Sequence, residues 1–186
     1  MKRVFVLLFF SLFDMTGASR AATTANTTIS ATINTATCDV TVDKATVIIP
    51  AIDGTAIVGQ DKILTSHQDL NVSLTCSGVF GASANPKINV TGEKLTGTGL
   101  STDGAKLYRG SASTSKGFGI ALTAKPTTGN STFTDIITVL PFTKVTTIQT
   151  KAMQVAIGCG SAADCALANL TAGSLTAALT FTYAPQ

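Results

Sequence analysis

His67 and Glu93 are the single histidine and the single glutamate of the chain. They leave few groups for acid–base chemistry near neutral pH. Asp69 lies two residues from His67, so on a strand both would face one side. No third member completes a triad: there is no G-x-S-x-G elbow, and Ser77–Gly78 and Ser115–Lys116 stand without an evident base. Asp43, Asp53 and Asp61 are too widely spaced for a calcium loop, and the absence of C-x-x-C with a remote histidine argues against a metal centre. The expectation is a protein without catalytic residues, metal or cofactor. Tyr108 and Arg109 form an aromatic–basic pair of the type favoured at binding hot spots. They are candidate ligand-binding residues, although a strand end with a buried tyrosine fits the same pair.

The remaining reactive residues are four cysteines, Cys38, Cys76, Cys159 and Cys165, and their reading depends on compartment. Lys2 and Arg3 precede an apolar run, Val4 to Phe13, followed by the small residues Gly17, Ala18, Ser19 and Ala21. This is the pattern of a secretory signal peptide over residues 1–21, cut after Ala21 or Ala18, and the run is too short to span a bilayer. In an oxidising compartment four cysteines imply two disulfides with three possible pairings. Cys159 and Cys165 enclose a short Gly/Ser/Ala loop and are expected to pair, which leaves Cys38 with Cys76. Without residues 1–21, the chain has 10 basic and 9 acidic side chains, a balance that provides no footprint for nucleic acid.

These residues must be positioned by strands. The chain has 32 threonines, a β-branched residue that fits a pleated surface better than a helical turn. Apolar and polar residues alternate at period two through Ile29–Ala31–Ile33 toward Cys38, Val40 and Val42, then through Leu70–Cys76, Ile88–Val90, Phe118–Leu122, Ile136–Phe142 and Met153–Ile157. Val47–Ile49 is a further apolar run ending at Pro50, and Leu175, Ala177, Leu179, Phe181 and Tyr183 alternate with Ser and Thr at the end. Turn clusters separate the runs, as at Asp53–Gly54, Asp103–Gly104 and Thr127–Asn130. Only Ala162–Leu170 suggests a helical turn. The pattern predicts an all-β sandwich. Its last strand is long, apolar and almost uncharged, which suits either a protected central strand or an edge left open for another chain's strand.

The terminal AGSLTAALTFTYAPQ, the Ile29–Cys38 run, the Leu70–Cys76 run with the second cysteine, and the leader together resemble the pilin subunits of chaperone–usher fimbriae. In that family a glycine sits about fourteen residues from the end and a tyrosine near it, as Gly173 and Tyr183 do here. The resemblance implies an incomplete immunoglobulin-like sandwich over residues 29–186 that lacks its final strand. It also implies a groove between first and last strands, lined by Ile29, Ala31 and Ile33 on one side and by Gly173, Leu175, Ala177, Leu179, Phe181 and Tyr183 on the other. A periplasmic fimbrial chaperone, an outer-membrane usher and neighbouring pilin subunits would be the partners, and the bacterial surface fimbrium the destination. Residues 22–28 would then be a short N-terminal extension, a poor apolar key. Either it donates weakly, as in a tip subunit that binds a host glycan or protein receptor, or the donor segment overlaps residues 27–35 and the first strand is shorter. Tyr183 is followed by Ala184, Pro185 and Gln186, whereas the family tyrosine is next to last.

Overall fold

The computed structural model describes residues 30–31, 36–82 and 84–184. The chain divides into two units, Met1–Thr32 and Ile33–Gln186. Of the first, Ser30 and Ala31 are described, both exposed and outside any strand.

In the second unit seven strands are found among the described residues: β1 (Thr37–Val42), β2 (Leu64–Ser77), β3 (Lys87–Thr91), β4 (Gly119–Ala124), β5 (Val139–Pro141), β6 (Gln149–Gly158) and β7 (Thr180–Ala184). All pairings are antiparallel. One sheet has the order β1-β2-β6-β4 and the other β5-β3-β7. The helical elements described are three-residue 3-10 turns, including Leu167–Asn169 in the region whose spacing suggested a turn.

Alternation explains the burial. Leu70, Val72, Leu74 and Cys76 of β2 and Met153, Val155 and Ile157 of β6 project from one face of their sheet into a core shared with Ile88 and Val90 of β3 and Leu140 of β5. Two sheets thus bury one apolar interior, as the all-β reading requires. β4 is buried on both faces from Gly119 to Thr123, because Ala121 enters a second cluster with Leu95, Leu107 and Phe133. Cys38 and Cys76 stand directly opposite in the β1–β2 register and are bonded, and Cys159 is bonded to Cys165. Cross-linking a 38-residue separation contributes about 4 kcal/mol through the unfolded state, against about 2 kcal/mol for a separation of 6.

Several expected strands are shorter than their patterns. The first strand among the described residues is β1 from Thr37; Ile29 and Ile33, where the pattern begins, lie outside the described residues. Val47–Ile49 is not in a ladder: Asp43 turns its carboxylate onto Asn71 just after β1, and Pro50 lacks an N–H to pair. The final run is a sheet strand only from Thr180, because upstream of that point its neighbour is a loop.

Candidate functional site: an open groove beside the last strand

The far flank of β7 is the distinctive feature of the fold. On its near flank β7 pairs with β3, Thr91 opposite Thr180, Asn89 opposite Thr182 and Lys87 opposite Ala184. The N–H of Val90 donates to Thr138 O beside β5 at 2.8 Å, so the even-numbered residues of β3 bond toward β5 and the odd-numbered ones toward β7. By the same parity the even-numbered residues of the last segment bond inward. The N–H and C=O groups of Leu175, Ala177, Leu179, Phe181 and Tyr183 are then aimed at the opposite flank. Among the described residues no backbone hydrogen bond reaches that flank. β7 comes close to β1 of the other sheet without pairing with it.

The space between them is a groove of about 830 Å³. One wall is the backbone from Gly173 to Phe181, with Leu175, Ala177, Leu179 and Phe181 half-buried against the core and the alternate Ser and Thr side chains exposed. Leu70, Ile120, Val155 and Ile157 of the core form its floor. The opposite wall is Val42 at the end of β1 and the non-strand segment after it, with Val47, Ile49 and Ile52. A smaller cavity of about 320 Å³ continues past Gly173 and Leu175 toward Phe118, Leu167 and Leu170.

Each wall is anchored by its own chemistry. Asp43 accepts from Asn71 N at 2.8 Å and from Asn71 Nδ2 at 2.9 Å, and Lys44 donates to Asp69 O at 2.5 Å. The bond from the Asn71 backbone is the largest influence on Asp43 and holds its carboxyl below the usual carboxylate value. The upper part of the other wall, Gly173 to Thr176, is held by the loop 110–115. Gly110 N donates to Thr176 O at 2.7 Å and Thr114 N to Ser174 O at 3.0 Å. Two side-chain hydroxyls complete the ladder: Ser113 Oγ accepts from Thr176 N at 3.0 Å, and Thr114 Oγ1 from Ser174 N at 2.8 Å. Gly173 is required by this closeness, since a Cβ there would lie 2.6 Å from Ser115 N. Further along, a Cβ on Gly92 would lie 2.5 Å from Ala178 O.

The expected site residues divide accordingly. The Gly173–Phe181 series lines one groove wall, and Tyr183 is half-buried and packs against the core beyond it. Among the described residues, 42–52 line the other wall; of the expected Ile29–Ala31–Ile33 set, Ala31 is exposed, and Ile29 and Ile33 lie outside the described residues. Val47 and Ile49 were visible as an apolar run, but nothing in their pattern separates a wall from a strand.

Tyr108 is fully buried, as the strand-end reading of the pair has it, and its ring is not available to a ligand at the surface. Its backbone bridges Ile120 on the outer side of β4, and burial raises its phenol pKa. Lys94 sits 3.3 Å from the centre of its ring, and desolvation lowers the ammonium's pKa. Arg109 points back into its own loop. His67 engages Ser131 O at 2.9 Å, while Asp69 faces Lys125 and Gln154. The two do not form a pair. Among the described residues no cluster of His, Cys, Asp or Glu could hold a metal ion. Compared with known proteins, the chain matches no family model and no curated protein.

Proposed function

We propose that this chain is a structural subunit of a chaperone–usher fimbria, an incomplete immunoglobulin-like sandwich that accepts a strand from another molecule along the far flank of β7. The observation that carries this reading is the groove itself: an apolar trough of about 830 Å³ beside a strand whose outward N–H and C=O groups have no backbone partner among the described residues. Such an edge is an aggregation hazard unless something covers it. An inserted strand supplies backbone hydrogen bonds along its length and alternate side chains to the apolar floor. The first occupant would be a periplasmic chaperone's strand. The second would be the N-terminal segment of a neighbouring subunit, exchanged at the outer-membrane usher on the way to the bacterial surface.

The start of β1 at Thr37 bears on the donor. It leaves residues 22–36 ahead of the first strand, and within them Thr27, Ile29, Ala31, Ile33 and Thr35 alternate as a strand key should. This supports a shaft or adaptor subunit with its own donor segment. The tip-adhesin alternative rests on a short extension; of its candidate contact pair, Tyr108 is buried.

The test is periplasmic expression of the chain with and without its cognate chaperone. Alone it should be degraded or aggregate; with the chaperone it should be recovered as a soluble complex. Phe181→Asp places a charge in the groove and should abolish capture. Accumulation of the wild-type chain as a soluble, cooperatively unfolding monomer without chaperone would overturn the reading.

A further inference from the structure

The two halves of the β7 wall are held by different means. Thr180–Ala184 lies in a sheet ladder with β3. Gly173–Thr176 hangs on the loop 110–115, partly through the hydroxyls of Ser113 and Thr114, and a loop is a weaker template than a strand because its own backbone must first be fixed. The loop's Gly110 end is held by Ser113 N on Gly110 O and by the Glu93 carboxylate, which accepts from Ser111 N at 2.8 Å; its other end is held by Arg109. Its Nη2 donates to Ser113 O at 3.0 Å and to Ser115 O, joining both ends of the segment that receives Ser174 and Thr176. The guanidinium is half-buried, and among the described residues it has no carboxylate within ion-pair distance. Taking a cation out of water to meet only carbonyls is costly. The rigid fork of arginine can span two acceptors with one nitrogen, which the point charge of lysine does not reproduce in fixed geometry.

We infer that Arg109 is a positioning residue that holds the Gly173–Thr176 half of the groove wall in strand geometry through the loop 110–115. Its role follows from a chain of bonds: Arg109 to the carbonyls of Ser113 and Ser115, the loop's N–H groups and hydroxyls to Ser174 and Thr176, and through them the outward alignment of Leu175 and Ala177. Without the clamp, the loop loses its shape and the upper wall frays, while β7 proper stays in its sheet. As a determinant of strand capture this role rests on the proposed function; as a determinant of wall order it does not.

The experiment compares the wild-type mature chain with Arg109→Lys and Arg109→Met by residue-resolved amide hydrogen exchange. Binding of a synthetic peptide of residues 22–35 is measured in parallel. Expected is exchange about tenfold faster at Ser174 and Thr176 in Arg109→Lys, with Thr180 and Thr182 unchanged, and peptide binding about tenfold weaker, as losing one charge-assisted hydrogen bond implies. A generally destabilising substitution would instead speed exchange along all of β7. That result, or unaltered protection at Ser174 and Thr176 in both variants, would overturn the inference. If the wild-type chain captures no peptide yet the exchange difference appears, the clamp stands and the strand-acceptor reading falls.

Discussion

β4 and β7 each end a sheet, and among the described residues only β4 has its outer side covered. The outer side of β4 is closed by the chain itself: Tyr108 exchanges backbone hydrogen bonds with Ile120 at 2.8 and 2.7 Å, and Ile137 N donates to Leu122 O at 3.0 Å. With that cover, β4 buries both faces. β7 has no such cover on its outer side among the described residues, and its apolar side chains stop half-buried over a groove. The difference shows how one molecule disposes of two edges. One is capped internally by a bridge and a turn. The other, among the described residues, borders a groove whose floor is built from core residues.

Stripping the cover from β4 should be the most damaging change. Tyr108→Ala removes a fully buried ring and the support of Lys94 above it, and should cost about 3–5 kcal/mol, the range for truncating a large buried aromatic. Chemical denaturation of the chain, alone or with a bound strand peptide, would measure it. A cost under about 1 kcal/mol would mean that β4 needs no cap, and the contrast with β7 would lose its basis.

Covering β7 should move stability the other way. A strand peptide that binds only the folded state, present at a hundred times its dissociation constant, adds about 2.7 kcal/mol. For a chain of this size that corresponds to a rise of roughly 5–10 °C in thermal midpoint. The residue 22–35 peptide should give this shift, and the same peptide with Ile29 and Ile33 changed to Asp should not. An equal shift from both would place binding outside the apolar groove.

The contrast between the two edges was only half legible in the sequence. Period-two alternation reports which face of a strand is buried, and it located the core of β2, β3 and β6 and the inward residues Leu175 to Tyr183. It carries no information about flanks, because backbone groups are the same in every residue. That Tyr108 caps β4, or that Ser113 and Thr114 stand in for a strand beside Ser174 and Thr176, is decided by which loop folds over which edge. The second set joins residues 60 or more positions apart through hydroxyl and backbone groups. The Val47–Ile49 run is ambiguous for the same reason: Val47 and Ile49 wall a groove, and an apolar wall and a strand face look alike in one dimension. The disulfides were easier, because spacing alone favoured Cys159 with Cys165.

Gly92 tests the middle of the open wall, where the loop-held and sheet-held halves meet. Gly92→Ala places a methyl against Ala178 O and the Tyr108 ring, both closer than ordinary contact allows. The backbone at Ala178 must shift, at a cost of about 1–3 kcal/mol. Peptide binding should weaken while the exchange protection of β4 is kept. Equal losses at both edges would show that Gly92 supports the core in general and not the wall.

The smallest expected effect concerns the opposite wall and is a matter of pH. Asp43 ties the end of β1 to Asn71, and its carboxyl is held below its ordinary value of 3.8, foremost by the backbone N–H of Asn71. A carboxyl depressed in the folded state contributes stability that is complete above the ordinary value and disappears as pH falls through the folded one. Near neutrality, therefore, the wall is fully tethered; below about pH 4 the tether is lost progressively. Asp53, Asp69, Asp103 and Asp164 are depressed as well, so acid weakens the whole protein and the Asp43 contribution must be read as a difference. Asp43→Asn retains one acceptor oxygen and carries no charge. At pH 6 it should bind the strand peptide slightly more weakly than the wild type, and the gap should close as pH falls below 4. Lys44 donates to Asp69 O and its charge ranks behind the Asn71 hydrogen bonds in lowering the Asp43 carboxyl, so salt should change this gap little. A gap that persists unchanged into acid would mean that Asn71 is held by the position of the chain and not by the carboxylate, and that the wall after β1 is as rigid as the strand it follows.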